Sequence, residues 1–409
     1  MNYKNQFLLF LLGMYNVGIA QNLPSLLHNK NINATFSIVA YDVNTQEWGI
    51  AVATNNIYVG SSTIYIEPGV GAFSVIAETE PKYGLNGLEQ LKKGVSIIDA
   101  IEQTRNKDEE SNFRQVSGID GKGNVYSFMG ESLKYWNGQA GSQFGESYIV
   151  MGNQLADNVL SKMASAYENA EGTLAERLLK SLIEGQNAGG QISGKQSAAV
   201  VVKGLNNEWY NQIDLRVDNS KSPLKELQTL MNYHYGRIRL NQALYAQREG
   251  NSNRAKQKLI EAESMLNGWT GIYSRIAVAN IAVGNEDKAI LWIKKGLNEN
   301  PNWSVNLPAF YFLRDNPKMK SLIQPDSFSV TDWETAMGML SNLGRELEVI
   351  ELTKGLIDRK IESSYLNFIL GRSYFYEKEH GKAKNYLEKA LKIDNENIEA
   401  ERLLQSLND

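Results

Sequence analysis

A spacing of thirty-four residues constrains this chain more than any other feature. Ala255, Lys258, Leu259 and Ala262 recur thirty-four positions later as Ala289, Trp292, Ile293 and Gly296, and Pro301 closes that unit. A third match runs through Leu370, Gly371, Tyr374, Ala383, Leu387 and Ala390, and Val349, Thr353 and Leu356 fit one period before it. Small residues at these positions let two helices approach closely. A fixed period of this length predicts stacked helix pairs, each burying its apolar face only against its neighbours. Leu224–Tyr235 opens the helical part, and no strand pattern follows it. Over Trp303–Asp332 the period breaks, because Pro301, Pro308, Pro317 and Pro325 would stop helices.

The preceding stretch has a different texture. Thr35–Asp42 and Trp48–Thr54 are apolar, β-branched runs around a turn-forming Asp42-Val43-Asn44-Thr45, which predicts a hairpin. Further strand patterns lie at Thr63–Ile66, Gly71–Ala77, Arg114–Ile119, Val125–Met129, Tyr148–Met151, Ser197–Val202 and Trp209–Leu215. Asp120-Gly121-Lys122-Gly123-Asn124 predicts a second hairpin turn. Helical periodicity occupies Leu85–Lys93, Ser96–Arg105, Leu155–Asn169 and Leu174–Ala188. Strands, two helices, strands, two helices, strands is the order of an α+β layered domain.

At 409 residues the chain exceeds what one core usually supports, about 250–300 residues, so two domains are expected. The formal net charge is −4 and no basic run appears, which argues against a nucleic-acid partner. Residues 1–20 read as a signal peptide: Lys4, the apolar run Phe7–Leu12, then Gly18-Ile19-Ala20. That run is shorter than the roughly 20 residues a bilayer span needs, so export to the periplasm or beyond is expected, without a retained span. Residues 21–34 read as a linker or pro-segment.

The chain has no cysteine and three histidines, His28, His234 and His380. A catalytic thiol and Cys-ligated metal are therefore excluded. Within the first domain a Ser-His-Asp triad and a histidine zinc site are excluded too. No carboxylate metal cluster or phosphate-cradling loop stands out, and we expect no cofactor and no metal. Among the hydrolytic chemistries that remain is an N-terminal nucleophile. In it a Thr or Ser at the processed chain start attacks a carbonyl, and its own amine is the base. An α-amine with a pKa of about 7.7–8.0 leaves roughly a tenth neutral near pH 7. Thr35 fits: it begins the first strand and follows a featureless segment.

Residues 35–218 resemble the domain of unknown function 1028 family, regarded as relatives of the N-terminal-nucleophile hydrolases. The resemblance runs through Thr35-Phe36-Ser37-Ile38-Val39-Ala40, Gly49-Ile50-Ala51-Val52-Ala53, Gly69-Val70-Gly71-Ala72, Trp136-Asn137-Gly138, Gly152-Asn153, Gly194-Lys195-Gln196-Ser197-Ala198-Ala199 and Asp214-Leu215-Arg216-Val217-Asp218. It implies a four-layer αββα sandwich. In many members the Thr follows the initiator Met, whereas here Thr35 lies inward and needs a cut after Ala34, by self-cleavage or a protease. Leu133 stands where the family often has Cys, and Gln191 where it often has Asp. The thirty-four-residue units, with their Gly/Tyr/Ala pattern, resemble tetratricopeptide repeats, most clearly over Leu370–Asn395.

The expected organisation is a linker helix over 219–235 and a tetratricopeptide-like solenoid over 236–409. Thr35 is the expected nucleophile. Asn153 is expected either to supply an oxyanion-hole amide or to cap a helix from Leu155. Asn55, Glu78, Arg114, Gln115 and Gln196 are pocket candidates. Two functions remain open. One is an exported amide-bond hydrolase whose repeats hold a protein or peptide partner or present substrate. The other is a non-catalytic scaffold that binds a cell-envelope ligand.

Overall fold

The computed structural model describes residues 34–207 and 212–407. The predicted signal peptide and the linker up to residue 33 lie outside them. The chain divides into two units, Met1–His234 and Tyr235–Asp409.

In the first unit, β1 (Thr35–Asp42) and β2 (Glu47–Thr54) form the expected hairpin. The Asp42 carboxylate accepts the Asn44 and Thr45 backbone N–H groups at 2.9 and 3.3 Å, closing the turn with its own side chain. The register sets Thr35 opposite Thr54. Then come β3 (Ile64–Glu67), β4 (Gly71–Ala77), α1 (Lys82–Lys92), α2 (Ile97–Arg105), β5 (Arg114–Asp120) and β6 (Val125–Met129). The β5–β6 turn is held by Asp120, whose carboxylate accepts the Lys122 and Asn124 N–H groups at 2.8 and 2.9 Å. Gly123 supplies the left-handed residue, φ +87°. β7 (Gln139–Gly145), β8 (Tyr148–Leu155), α3 (Val159–Asn169), α4 (Leu174–Asn187), β9 (Ser197–Gly204) and β10 (Ile213–Val217) complete the unit. A capping box starts α4: Thr173 Oγ1 accepts the Glu176 N–H, and Glu176 accepts the Thr173 N–H.

The strands make a six-stranded sheet, β10-β9-β2-β1-β8-β7, and a four-stranded one, β3-β4-β5-β6. Every pair is antiparallel. Between the sheets lie Val39, Tyr41, Trp48, Ile50, Ala72, Ile119 and Ile149. Phe73, Val75 and Val116 of the small sheet pack on Tyr83 and Leu88 of α1 and on Ile97 and Ile101 of α2. On the large sheet, Gly49 gives room to α4: a Cβ there would sit 2.4 Å from Leu178 Cδ1. Helices, sheet, sheet, helices is the four-layer αββα order.

The helix α5 spans Pro223–Arg248, well beyond the expected Leu224–Tyr235. The second unit continues with α6 (Ser252–Leu266), α7 (Tyr273–Ala282), α8 (Glu286–Glu299), 3-10 turns at Pro301–Leu313 and Pro325–Ser327, α9 (Val330–Asn342), α10 (Glu346–Asp358), α11 (Ser364–Tyr376), α12 (His380–Ile393) and α13 (Ile398–Ser406). The proline-rich stretch that breaks the period is where the 3-10 turns fall. The recurring positions are buried: Ala255, Leu259 and Ala262; Ala289, Ile293 and Gly296; Ala383, Leu387 and Ala390. Gly371 is why α11 and α12 fit closely, since a Cβ would meet Leu387 Cγ at 2.9 Å. Among the described residues no helix is long and apolar enough to cross a membrane.

Candidate functional site

The space between the sheets changes character along β1. Tyr41 and Val39 sit in an apolar cluster. Two residues nearer the start, Ser37 Oγ accepts from Ser74 Oγ of the opposite sheet at 3.0 Å. At the strand's first residue, Thr35 meets Thr54, Asn153 and, through Asn153, Gln115. All four are at most 5% exposed. Alternation along the strand sends positions 35, 37, 39 and 41 to the same face, so the polar end is written into every second residue.

Thr35 Oγ1 lies 3.0 Å from Thr54 Oγ1. Thr54 Oγ1 donates its one proton to the Ala34 carbonyl oxygen at 2.8 Å, so the Thr35 hydroxyl is the donor in the contact between them. The same carbonyl accepts the Asn55 backbone N–H at 3.2 Å. The Thr35 backbone N–H donates to Asn153 Oδ1 at 3.3 Å. Asn153 Nδ2 donates to Gln115 Oε1 at 3.0 Å. Gln115 Nε2 in turn donates to the Gly141 and Gly152 carbonyls, both at 3.0 Å. Those two carbonyls accept only, so they fix the Gln115 amide, and Gln115 fixes Asn153 with its oxygen toward Thr35.

Thr35 also lines a cavity of about 210 Å³ with Thr54, Asn56, Thr63, Ala77 and Glu78. Two non-glycine residues beside it hold left-handed backbone: Ala77 at φ +67° on the cavity wall and Gln154 at φ +51° just after Asn153. Such conformations persist only where the surroundings enforce them, and they cluster at functional sites. A larger hollow of about 450 Å³ lies elsewhere in this unit, among Ile183, Gln186, Lys195 and Leu224. None of the candidate residues lines it, so size does not select the site here.

The other sequence candidates divide. Glu78 lines the Thr35 cavity. Arg114 does not offer its charge to that cavity. Its Nε and Nη2 bind Asp108 at 2.9 and 3.3 Å, and Nη1 donates to the Glu78 carbonyl at 3.0 Å, so Arg114 braces the wall. Burial pushes the Asp108 carboxyl up, but the hydrogen bonds and charge of Arg114 outweigh it and hold Asp108 below its ordinary value. Asn55 contributes its backbone N–H at Ala34, while its Nδ2 donates to Ser193 Oγ at 2.8 Å. Gln196 donates its backbone N–H to the Thr54 carbonyl, and its side chain reaches Asn219.

Asn153 requires a correction. It caps no helix, because β8 runs on to Leu155 and α3 begins only at Val159, after Asn158. Its Nδ2, the group an oxyanion hole would use, is turned to Gln115. What Asn153 offers Thr35 is an acceptor. Thr54 is the residue that sequence reasoning missed. The signal was present: Thr35 and Thr54 are the outer ends of the two predicted hairpin strands, Thr35–Asp42 and Trp48–Thr54.

Residues 35–227 match the model of a family of unknown function (DUF1028), and residues 364–397 match a tetratricopeptide repeat model. A search of curated proteins gave no match. Among solved structures, protein SPO2555 from Silicibacter pomeroyi, itself assigned to DUF1028, is 28% identical with a TM-score of 0.45, over 48% of this chain and 88% of that one. The P58(IPK) TPR domain is 14% identical with a TM-score of 0.21; the match covers 42% of this chain and 55% of that domain. The chain is thus a two-domain protein, with a DUF1028 domain followed by a helical domain that carries a tetratricopeptide repeat.

Proposed function

We propose that the protein is an exported amide-bond hydrolase with Thr35 as the first residue of its mature chain. The observation that carries this reading is the setting of Thr35: a strand-initial hydroxyl on a cavity wall, its nitrogen held by the Asn153 oxygen. Once Thr35 is the chain start, that nitrogen is an amine. An amine that gives one N–H to Asn153 Oδ1 is oriented, and its lone pair can take the hydroxyl proton as Oγ1 attacks a substrate carbonyl. The apolar run Phe7–Leu12 supports export. Tetratricopeptide repeats generally mediate protein interactions, so the helical domain would hold a protein or peptide partner.

The test needs no known substrate. A chain begun at Met-Thr35 loses its Met during expression and presents Thr35 directly. Treated with a β-lactone, which acylates hydroxyl nucleophiles, it should gain one adduct on Thr35 by intact mass. Absence of labelling, or equal labelling of Thr35→Ala, would sink the reading.

A second reading keeps the sandwich as an inactive scaffold and gives binding to the repeats. It is favoured by an apolar cavity of about 280 Å³ in the helical unit, lined by Leu244, Val278, Ala309, Phe310 and Met339. The same labelling experiment separates the two.

A further inference from the structure

The bonds around Ala34 close a ring. Thr35 Oγ1 donates to Thr54 Oγ1 at 3.0 Å, and Thr54 Oγ1 donates to the carbonyl oxygen of the residue that precedes Thr35, at 2.8 Å. The Asn56 N–H, at 3.3 Å from Thr54 Oγ1, steadies the hydroxyl between them. The Asn55 N–H continues the β1–β2 ladder onto the same carbonyl oxygen. Ala34 is fully buried and Thr54 is 2% exposed, so these groups are shielded from bulk water. A threonine hydroxyl is a weak nucleophile unless its proton leaves as it attacks. A carbonyl becomes a better electrophile when its oxygen receives a proton or a hydrogen bond. One side chain, Thr54, is placed to do both.

We propose that Thr54 is a catalytic residue for self-cleavage of the Ala34–Thr35 bond. The inference rests on reading Thr35 as a nucleophile. Thr35 Oγ1 forms a bond to the Ala34 carbonyl carbon. Its proton passes to Thr54 Oγ1 as the Thr54 proton passes to the carbonyl oxygen, where the Asn55 N–H also stabilises the developing charge. The carbon–nitrogen bond then breaks, the carbonyl re-forms as an ester on Oγ1, and the displaced proton ends on the Thr35 nitrogen. Water hydrolyses the ester. Ala34 leaves with a carboxylate, and Thr35 keeps a hydroxyl and a new amine. The hairpin therefore carries the equipment to make its own chain start.

The experiment uses the full chain, purified denatured and refolded so that no protease is present, and followed by intact mass and N-terminal sequencing. The expected result is first-order appearance of a chain beginning at Thr35, at a rate independent of protein concentration. Thr54→Val, which keeps the shape and removes the hydroxyl, should slow it about 100-fold or more, the usual worth of a positioned proton carrier. Thr54→Ser should cut at close to the wild-type rate, which separates loss of the hydroxyl from loss of the fold. Wild-type chain that stays uncut, cutting that requires an added protease, or Thr54→Val cutting at the wild-type rate overturns the proposal. Labelling of the chain begun at Met-Thr35 does not depend on self-cleavage, so the hydrolase reading and this one can fail separately.

Discussion

In the helical unit Glu263 is 7% exposed, and its carboxylate accepts from Asn280 Nδ2 and Trp292 Nε1, both at 2.8 Å, and from Lys288. Those partners sit on the two helices that follow it, α7 and α8. Glu346, 8% exposed, accepts from Ser341 of α9 at 2.9 Å and from Ser373 of α11. In the sandwich, buried polar groups of similar depth run from Gln115 through Asn153 to Thr35 and Thr54, and they stop at the wall of a cavity. The two sets face the same desolvation cost and meet it with the same hydrogen bonds. The difference lies in where the network ends. In the repeats the buried carboxylates are answered by side chains of neighbouring helices, which ties one helix to the next. In the sandwich the network terminates on a hydroxyl and a peptide nitrogen beside open space. Burial of a polar group is therefore no mark of chemistry in this molecule, nor is a cavity by itself, since Ser341 and Glu346 also line one. Thr35 differs in bringing a hydroxyl and its own nitrogen together at a cavity wall.

Substitutions can break that contrast in order of size. Thr35→Ala in the chain begun at Met-Thr35 should lower β-lactone acylation at least 1000-fold, about 4 kcal/mol of barrier by the tenfold rule, and shift the melting temperature little. Glu263→Ala should do the reverse. It leaves the Trp292 and Asn280 donors without their acceptor and should cost about 3 kcal/mol in denaturant melts, with acylation of Thr35 unchanged. Asp108→Asn, which unpairs Arg114 under the cavity wall, should cost about 2 kcal/mol near neutral pH. The sign follows from a depressed carboxyl. The pair's contribution is present above the unfolded value, about pH 3.9, and is lost as pH falls through the lower folded value. The gap between wild type and Asp108→Asn should therefore close below about pH 4, as paired melts across pH would record. Gln115→Leu should have the smallest effect. Asn153 can then turn its Nδ2 toward the Thr35 amine, which disfavours the ammonium form. We expect an acylation rate about tenfold lower, roughly 1.4 kcal/mol, with the acid limb of its pH profile moved to lower pH. An unchanged limb would leave Gln115 a purely structural brace.

The strands bounded by turn chemistry were legible. The Asp42 and Asp120 turns sit where their side chains can close them, and strand alternation carries Thr35 and Ser37 onto one face. β7 was not legible: Gln139-Ala140-Gly141-Ser142-Gln143-Phe144-Gly145 has no apolar alternation, because an edge strand with a mostly exposed surface needs none. Asn153 was misread for a related reason. A polar residue before a helical pattern looks like a cap, but its partners are Thr35 and Gln115, more than a hundred and nearly forty residues away in the chain. Local pattern carries no record of such distant partners. The thirty-four-residue units were visible because each repeats its own contacts. The stretch between α8 and α9 was visible only as an interruption.

The Asp42 turn bears on the fate of insertions. Thr35 and Thr54 face each other because eight strand pairs count back from that turn, from Asp42 and Glu47. At about 3.3 Å per residue the turn lies roughly 25 Å from the two hydroxyls. Loop tips ordinarily tolerate a gained or lost residue. Here a single deletion among Val43, Asn44, Thr45 and Gln46 would slide β2 by one position and carry the Thr54 hydroxyl to the helix-facing side of the sheet. Every residue around Thr35 would still be present, and the ring through Ala34 would be open. The length of a surface turn is thus as much a part of this site as the threonines themselves.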